Sequence, residues 1–252
     1  MPRYYIGTSG WQYGHWQNVF YPKNLPKSKW LEFYAENFNT VELNVSFYRT
    51  IPEKNYEDWR KKVPKNFIFS LKLSQYFTHR RKLNIDKNSL KFLKRTAKAW
   101  RGLGNNLGPV LIQLPPNMNC NPKRLKNFLK NILKISQEIH KKKLLFAIEF
   151  RNKTWLNSGI YEILRKYRIA FCISDSPVWP TKIIKTTPWV YIRFHGSKSL
   201  FAGLYPEEEL KSRIKKIKRL DSEKTFVYFN NDAEGNAIIN AKQMKQKIAN
   251  SN

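Results

Sequence analysis

Cysteine is nearly absent: Cys120 and Cys172 are the only two in 252 residues, and their separation fits neither a disulfide framework nor a paired metal-ligand motif. Such isolated thiols fit a reduced, cytoplasmic setting. No apolar run approaches the ~20 residues a membrane span needs. The opening MPRYYIG enters a strand-like stretch without a signal-like apolar region, so neither a membrane partner nor an exported form is expected. Glycine is sparse at ten residues, and the first turn reads GTSGWQYG, which does not match the G-x-G-x-x-G dinucleotide pattern. There is no low-complexity tract and no linker-like segment.

Acidic residues are also scarce, 18 Asp and Glu against 47 Lys and Arg, which gives a formal charge of +29 and a pI near 10.1. Clustered cations of this number are the footprint of a nucleic-acid partner, because they neutralise phosphates and release counterions. Here the excess is mostly lysine scattered over predicted helices, which equally describes a basic solvated surface.

What is present is alternation. Eight short apolar runs fall at residues 4–7, 40–43, 67–71, 109–114, 144–148, 169–174, 189–194 and 225–229. Helical patterns lie at 26–38, 52–63, 86–103, 122–142, 156–167, 206–220 and 232–249. Pro26, Pro52 and Pro122 suit first helical turns, and Asn121 and Asp232 suit N-caps. Only the connection 175–188, rich in Pro and Thr, is too irregular for a helix. Eight strands with crossovers in about 250 residues predict an α/β protein, a (β/α)8 TIM barrel forming one domain over 1–252. An open doubly wound sheet is the alternative, and it would need fewer strands.

In such a barrel the carboxyl ends of the strands gather the functional groups. Thr8, Ser9 and Trp11 follow the first run, and Glu42 and Asn44 alternate at the second, followed by Phe47 and Tyr48. Lys72 closes the third and Gln113 the fourth. Glu149 and Arg151 close the fifth, Asp175 the sixth, Arg193 and His195 the seventh, and Asn230 the eighth. Side chains two apart on a strand share a face, so these polar groups point inward while Leu43, Leu71, Ile148, Ile192 and Phe194 point toward the helices. Glu42, Glu149 and Asp175 nearly balance Lys72, Arg151 and Arg193. The set therefore reads either as a ligand pocket, lined by aromatics such as Trp11, Phe47, Tyr48 and Trp155, or as a self-satisfied ion network plugging the barrel.

The segments IGTSGW (6–11), VELNVSFYR (41–49), FSLKLS (69–74), LIQLPP (111–116), AIEFRNKTW (147–155), YIRFHG (191–196) and YFNND (228–232) together resemble the YecE-like proteins, a TIM-barrel family of unknown function (domain of unknown function 72). The resemblance spans nearly the whole chain. It implies the barrel and implies that Glu42, Asn44, Lys72, Glu149, Arg151, Arg193, His195 and Asn230 occupy the family's characteristic positions. It supplies no reaction, and Asp175 lies where no family pattern is matched.

The residues themselves favour acid or base chemistry on a small anionic or sugar-like, hydroxyl-rich substrate without a cofactor. Glu149 and Glu42 are the acid and base candidates, and His195 a proton carrier. Lys72 is a charge partner or a Schiff-base nucleophile. Arg151 and Arg193, with the backbone N–H groups of the 8–10 turn, form an anion clamp. Asn44, Gln113 and Asn230 read hydroxyls or amides. On this reading Glu149→Gln abolishes turnover with little change in thermal stability. A divalent metal on Glu149, Asp175 and His195 is the sharper alternative, opposed by the two nearby arginines and by the single histidine expected at that face. Two carboxylates for glycoside hydrolysis are present, but after the second and fifth strands. A nucleic-acid binding or processing protein, its aromatic loops stacking bases, and a non-catalytic ligand-binding barrel are the rivals from other classes.

Overall fold

All eight predicted runs become parallel strands: β1 (Arg3–Thr8), β2 (Thr40–Leu43), β3 (Ile68–Lys72), β4 (Leu107–Gln113), β5 (Phe146–Glu149), β6 (Ala170–Asp175), β7 (Trp189–Phe194) and β8 (Lys224–Phe229). The structure is a computed structural model, and it describes residues 3–180 and 182–250. The strands form one sheet in the order β1-β8-β7-β6-β5-β4-β3-β2. It curls until β1 and β2 meet at a single bridge, Ser9 opposite Glu42, so the TIM barrel is nearly closed.

Side chains complete that seam. The Tyr34 hydroxyl accepts from Thr8 N at 3.0 Å and donates to Thr40 O at 3.1 Å. Asn39 accepts from Ile6 N at 3.3 Å and donates to Tyr4 O at 3.0 Å. The backbones press close here: a Cβ on Gly7 would lie 2.1 Å from Thr40 O, so only glycine fits.

The crossovers are α1 (Trp30–Asn37), α2 (Val45–Tyr48) with α3 (Glu53–Lys61), α4 (Lys87–Ala99), α5 (Pro122–His140), α6 (Ser158–Tyr167) and α7 (Glu207–Lys218), and α8 (Asn236–Ala249) closes the chain. Asn121 caps α5 as expected, accepting from Arg124 N at 2.9 Å, with Pro122 in its first turn. Three expected helix starts move. Pro26 precedes a 3-10 turn, so α1 begins at Trp30, and Pro52 stands just before Glu53. At the third, Gly235, with φ of 77°, redirects the chain so that α8 begins at Asn236. Asp232 stands instead at the N-cap of a 3-10 turn (Ala233–Gly235) without a side-chain cap bond, and its carboxylate accepts from Trp16 Nε1 at 2.8 Å and pairs with His15. The connection from β6 to β7 has no helix among its described residues. In its place Thr186 Oγ1 accepts from Phe171 N at 2.8 Å and donates to Ile169 O at 2.7 Å.

Alternation along the strands divides two cores. Leu43, Leu71, Ile148, Ile192 and Phe194 join the large core under the helices. Tyr5, Leu111, Ala147, Cys172, Tyr191, Phe226 and Tyr228 fill the barrel. Toward the amino end the filling is aromatic, with Tyr5 stacked on Phe226 at 4.8 Å. Midway it turns polar, where the Tyr228 hydroxyl meets Thr40 Oγ1 and Ser70 Oγ, each at 2.7 Å. At the carboxyl end it is charged. Among the described residues no helix is long and apolar enough to cross a membrane.

Candidate active site

Arg193 is the hub of the charged layer, with 1% of its side chain exposed. Its Nη2 donates to Glu42 Oε2 at 2.8 Å and its Nη1 to Glu149 Oε2 at 2.6 Å, both carboxylates being fully buried. Gln113 Oε1 and Ser9 Oγ lie 3.3 Å from the same guanidinium. The other oxygens of the two acids are also engaged. Glu149 Oε1 accepts from Arg151 Nε at 2.7 Å, and Glu42 Oε1 from the Tyr191 hydroxyl at 2.7 Å, while Ser9 Oγ donates to Glu42 Oε2. Burial opposes ionisation of Glu149, but Arg151, Arg193 and His195 together hold its pKa well below the usual carboxylate range. A carboxylate so held stores no proton at neutral pH, which removes Glu149 as a general acid and leaves it a weak base.

Lys72 is placed differently. It is only 7% exposed, and its Nζ lies 3.9 Å from the centre of the Phe47 ring. Among the described residues the ammonium has no hydrogen bond or ion pair with any protein group. Burial, then repulsion from Arg193, pulls its pKa down to about 7 against the opposing attraction of Glu42 and Glu149. His195 is fully buried against Arg193, with its Nε2 3.4 Å from Arg193 Nη1; burial and Arg193 lower its pKa to about 4, so the imidazole is neutral near pH 7. Asn230 Nδ2 lies 3.1 Å from His195 Nδ1. The ring's Nε2 lies 3.6 Å from Glu149 Oε2.

Three expected groups leave the site. Asp175 closes β6 but faces the helices, where its carboxylate forms an ion pair with Arg213, Nε lying 2.9 Å away, and accepts from the Tyr205 hydroxyl at 3.1 Å. Strand alternation explains this: Ser174 is the inward residue, and Asp175 shares the outer face with Ile173. The set Glu149, Asp175 and His195 is thus not assembled for a metal, and among the described residues no three His, Cys, Asp or Glu side chains are grouped to hold one. Without Asp175 the mouth is unbalanced, with Lys72, Arg151 and Arg193 against Glu42 and Glu149. Trp11 leaves as well; it is 4% exposed and packs edge-on against Trp59 at 5.4 Å in the outer core. Trp155 is likewise buried, stacked on Phe150 at 4.9 Å.

The anion clamp expected from the 8–10 turn is also not formed. Thr8 N is bonded to Tyr34, Ser9 N to Phe229 O at 2.9 Å and Gly10 N to Glu42 O at 2.8 Å, so all three N–H groups are used in closing the barrel. Thr8 Oγ1 turns to Gly10 O at 2.7 Å. Asn44 stays at the rim, donating to Ser9 O at 3.3 Å with its Oδ1 buried and unpartnered. Tyr48 is 69% exposed, edge-on to Phe47. Arg151 Nη2 donates to Gln113 Oε1 at 3.0 Å, and its Nη1 meets no protein group among the described residues.

Two residues that the sequence did not single out complete the mouth. Trp179, from the helix-free connection, lies 4.0 Å over the Arg151 guanidinium and 5.0 Å from the His195 ring, anchored by Nε1 donating to Ser174 Oγ at 2.8 Å. His79, in a turn of π-helix after β3 (Tyr76–Arg80), packs edge-on against Phe47 at 5.0 Å. Burial and then Lys72 lower its pKa to about 4, so a second histidine stands at this face. Its position in the loop after a barrel strand was the available signal. Trp179 had none, because its connection matches no pattern.

Residues 5–252 match the family model described as Protein of unknown function DUF72. The chain is 29% identical to the UPF0759 protein YunF of Bacillus subtilis over 275 residues, covering 97% of this chain and 94% of that one. It resembles the crystal structure of a DUF72 family protein from Thermotoga maritima with a TM-score of 0.84 and 28% identity, covering 98% of this chain and 99% of the other. A DUF72 family protein from Enterococcus faecalis aligns with a TM-score of 0.75 at 21% identity, over 99% and 98% of the two chains.

Proposed function

This chain belongs to the DUF72 family, and from that premise we propose that it is an enzyme performing acid or base chemistry on a small anionic, hydroxyl-rich substrate in the barrel mouth. One observation carries the reading: Lys72 is a buried amine without an acid partner, while both nearby carboxylates are engaged by arginines. A buried ammonium without an acid partner is costly, so the amine gives up its proton near neutral pH, and an anionic ligand is drawn by the cationic excess of the mouth. Arg151 Nη1, held under Trp179, offers donors to that anion. Lys72, His195 and His79 have neutral forms near pH 7, so they handle the proton. Glu42 and Glu149 act by holding Arg193, Arg151 and the Tyr191 hydroxyl in place. Gln113, Asn44 and Asn230 contact the substrate's hydroxyl groups.

The test is a thermal-shift panel of ribose 5-phosphate, glycerol 3-phosphate, gluconate and ribose, followed by NMR in D2O. Anionic members should raise the melting temperature and the neutral sugar should not, and Arg151→Ala should remove the difference. Exchange of a carbon-bound hydrogen of a bound member for deuterium then reports the proton transfer. If no anionic member stabilises the wild-type chain more than Arg151→Ala, the reading fails.

A second reading, nucleic-acid binding, is favoured by a groove of about 690 Å³ between α7 and α8, lined by Lys211, Lys215, Lys218, Arg219 and Lys247. The groove includes the carboxyl ends of both helices, away from the barrel mouth. It predicts affinity for RNA or DNA that falls steeply between 50 and 200 mM salt. Binding unchanged when Lys215 and Arg219 are both replaced by Glu would remove this reading.

A further inference from the structure

We propose that Lys72 is a covalent catalyst, and that the substrate taken by the mouth is an aldehyde or ketone captured by the Lys72 amine as an imine. The inference rests on the acid or base reading above and narrows its substrate to carbonyl compounds bearing an anionic group.

The argument begins with what a lysine is suited to here. A fixed cation for an anion is supplied better by arginine, whose charge survives burial. The mouth already holds two, Arg193 and Arg151, with Arg193 Nε and Arg151 Nη1 not engaged by protein acceptors. Lysine differs in having a lone pair when deprotonated. The surroundings of Lys72 favour that form through burial, the lack of an acceptor in contact and Arg193 in the same layer, against the cation–π attraction of the Phe47 ring 3.9 Å from Nζ. Phe47 also orders the neighbourhood, because the His79 ring packs on it at 5.0 Å and 85°. Lys72 and His79 thus share one support, and the neutral imidazole is available to carry protons.

In the step, the Nζ lone pair forms a bond to the carbonyl carbon, and the C=O π pair becomes a lone pair on oxygen. That oxygen takes up one proton released by nitrogen and a second from solvent, and departs as water. The nitrogen lone pair closes the C=N bond to give the protonated imine, and return of its N–H proton to solvent leaves the neutral imine, so amine and carbonyl give imine and water with no oxidant or reductant. Protonated, the imine is an electron sink for breaking an adjacent C–H or C–C bond. The anionic end of the substrate rests at Arg151 under Trp179.

The experiment is reductive trapping on the full chain. Wild-type protein is incubated at pH 7 with limiting glyceraldehyde 3-phosphate, reduced with borohydride and mapped by peptide mass spectrometry. With a pKa of about 7, roughly half of the Lys72 amines are unprotonated, against on the order of one in a few thousand for an ordinary lysine. The reduced adduct should therefore form on Lys72 at least ~10-fold faster than on exposed lysines such as Lys91 and Lys126. Neutral glyceraldehyde should lose most of that preference. Labelling of Lys72 no faster than the exposed lysines overturns the proposal, and because it is read on wild-type protein, no variant need fold. Should the anionic sugars of the panel bind while Lys72 stays unlabelled, only the covalent role falls; should neither occur, the acid or base reading falls with it.

Discussion

Arg193 bridges Glu42 and Glu149, with its Nη1 2.6 Å from Glu149 Oε2 and its Nη2 2.8 Å from Glu42 Oε2, and none of the three side chains is more than 1% exposed. Removing one partner of a buried pair leaves the others uncompensated. Arg193→Met should lower unfolding free energy by about 3–5 kcal/mol, read from urea denaturation. Glu149→Gln should also cost stability, by about 2–4 kcal/mol, because Arg193 and Arg151 both lose a charged acceptor. This reverses the expectation from sequence that the change would leave stability nearly untouched.

Lys72 should make the ligand-free protein more stable as pH rises above neutral. Its pKa is about 7 when folded against 10.5 for the ordinary side chain. Between those values the unfolded chain binds more protons, so unfolding free energy increases with pH, at most by ~1.4 kcal/mol per unit for one proton. Tyr191 and Tyr228 oppose this near pH 10, because burial raises their pKa and the unfolded chain then holds fewer protons. Urea midpoints measured from pH 7 to 9 should therefore rise in wild type and flatten in Lys72→Met. A flat wild-type profile would contradict the placement of the amine.

Trp179 should govern access to Arg151. Trp179→Ala removes a cation–π contact at 4.0 Å and uncovers the His195 ring, with an expected stability loss of about 1–2 kcal/mol. The larger effect should be on ligand: the melting shift given by an anionic sugar should shrink several-fold, while Trp155→Phe leaves it in place.

Tyr34 tests the barrel seam. Tyr34→Phe deletes the hydroxyl that joins Thr8 N to Thr40 O, leaving two buried backbone groups short of a partner. A loss of about 1–3 kcal/mol is expected by chemical denaturation. Amide exchange at Thr8 should accelerate more than at Val227, which sits in a fully paired ladder between β7 and β8.

The strands and most crossovers were legible because their signals are local. An apolar run such as 189–194 and an alternation such as Glu42, Leu43, Asn44 need no distant partner to be read. Helix starts were less so, since the positive φ of Gly235, rather than the capping chemistry of Asp232, decided where α8 begins. Asp175 shows a sharper limit. One residue of register separates the inner face from the outer, and the irregular connection after β6 gave no second residue to fix it.

The sequence by itself determined that acids, bases and amides from most strands would gather at the carboxyl end of a parallel sheet, because side chains two residues apart on a strand share a face and crossovers return every strand in the same direction. Only the tertiary structure decided which charges meet. Arg193 reaches both Glu42 and Glu149 from three separate strands, Asp175 turns away to Arg213, and Lys72 is left facing Phe47. Pairing is a matter of ångströms between residues as far apart in the chain as Arg193 is from Glu149 (44 positions) and from Glu42 (151 positions), and no local pattern in a chain encodes that distance.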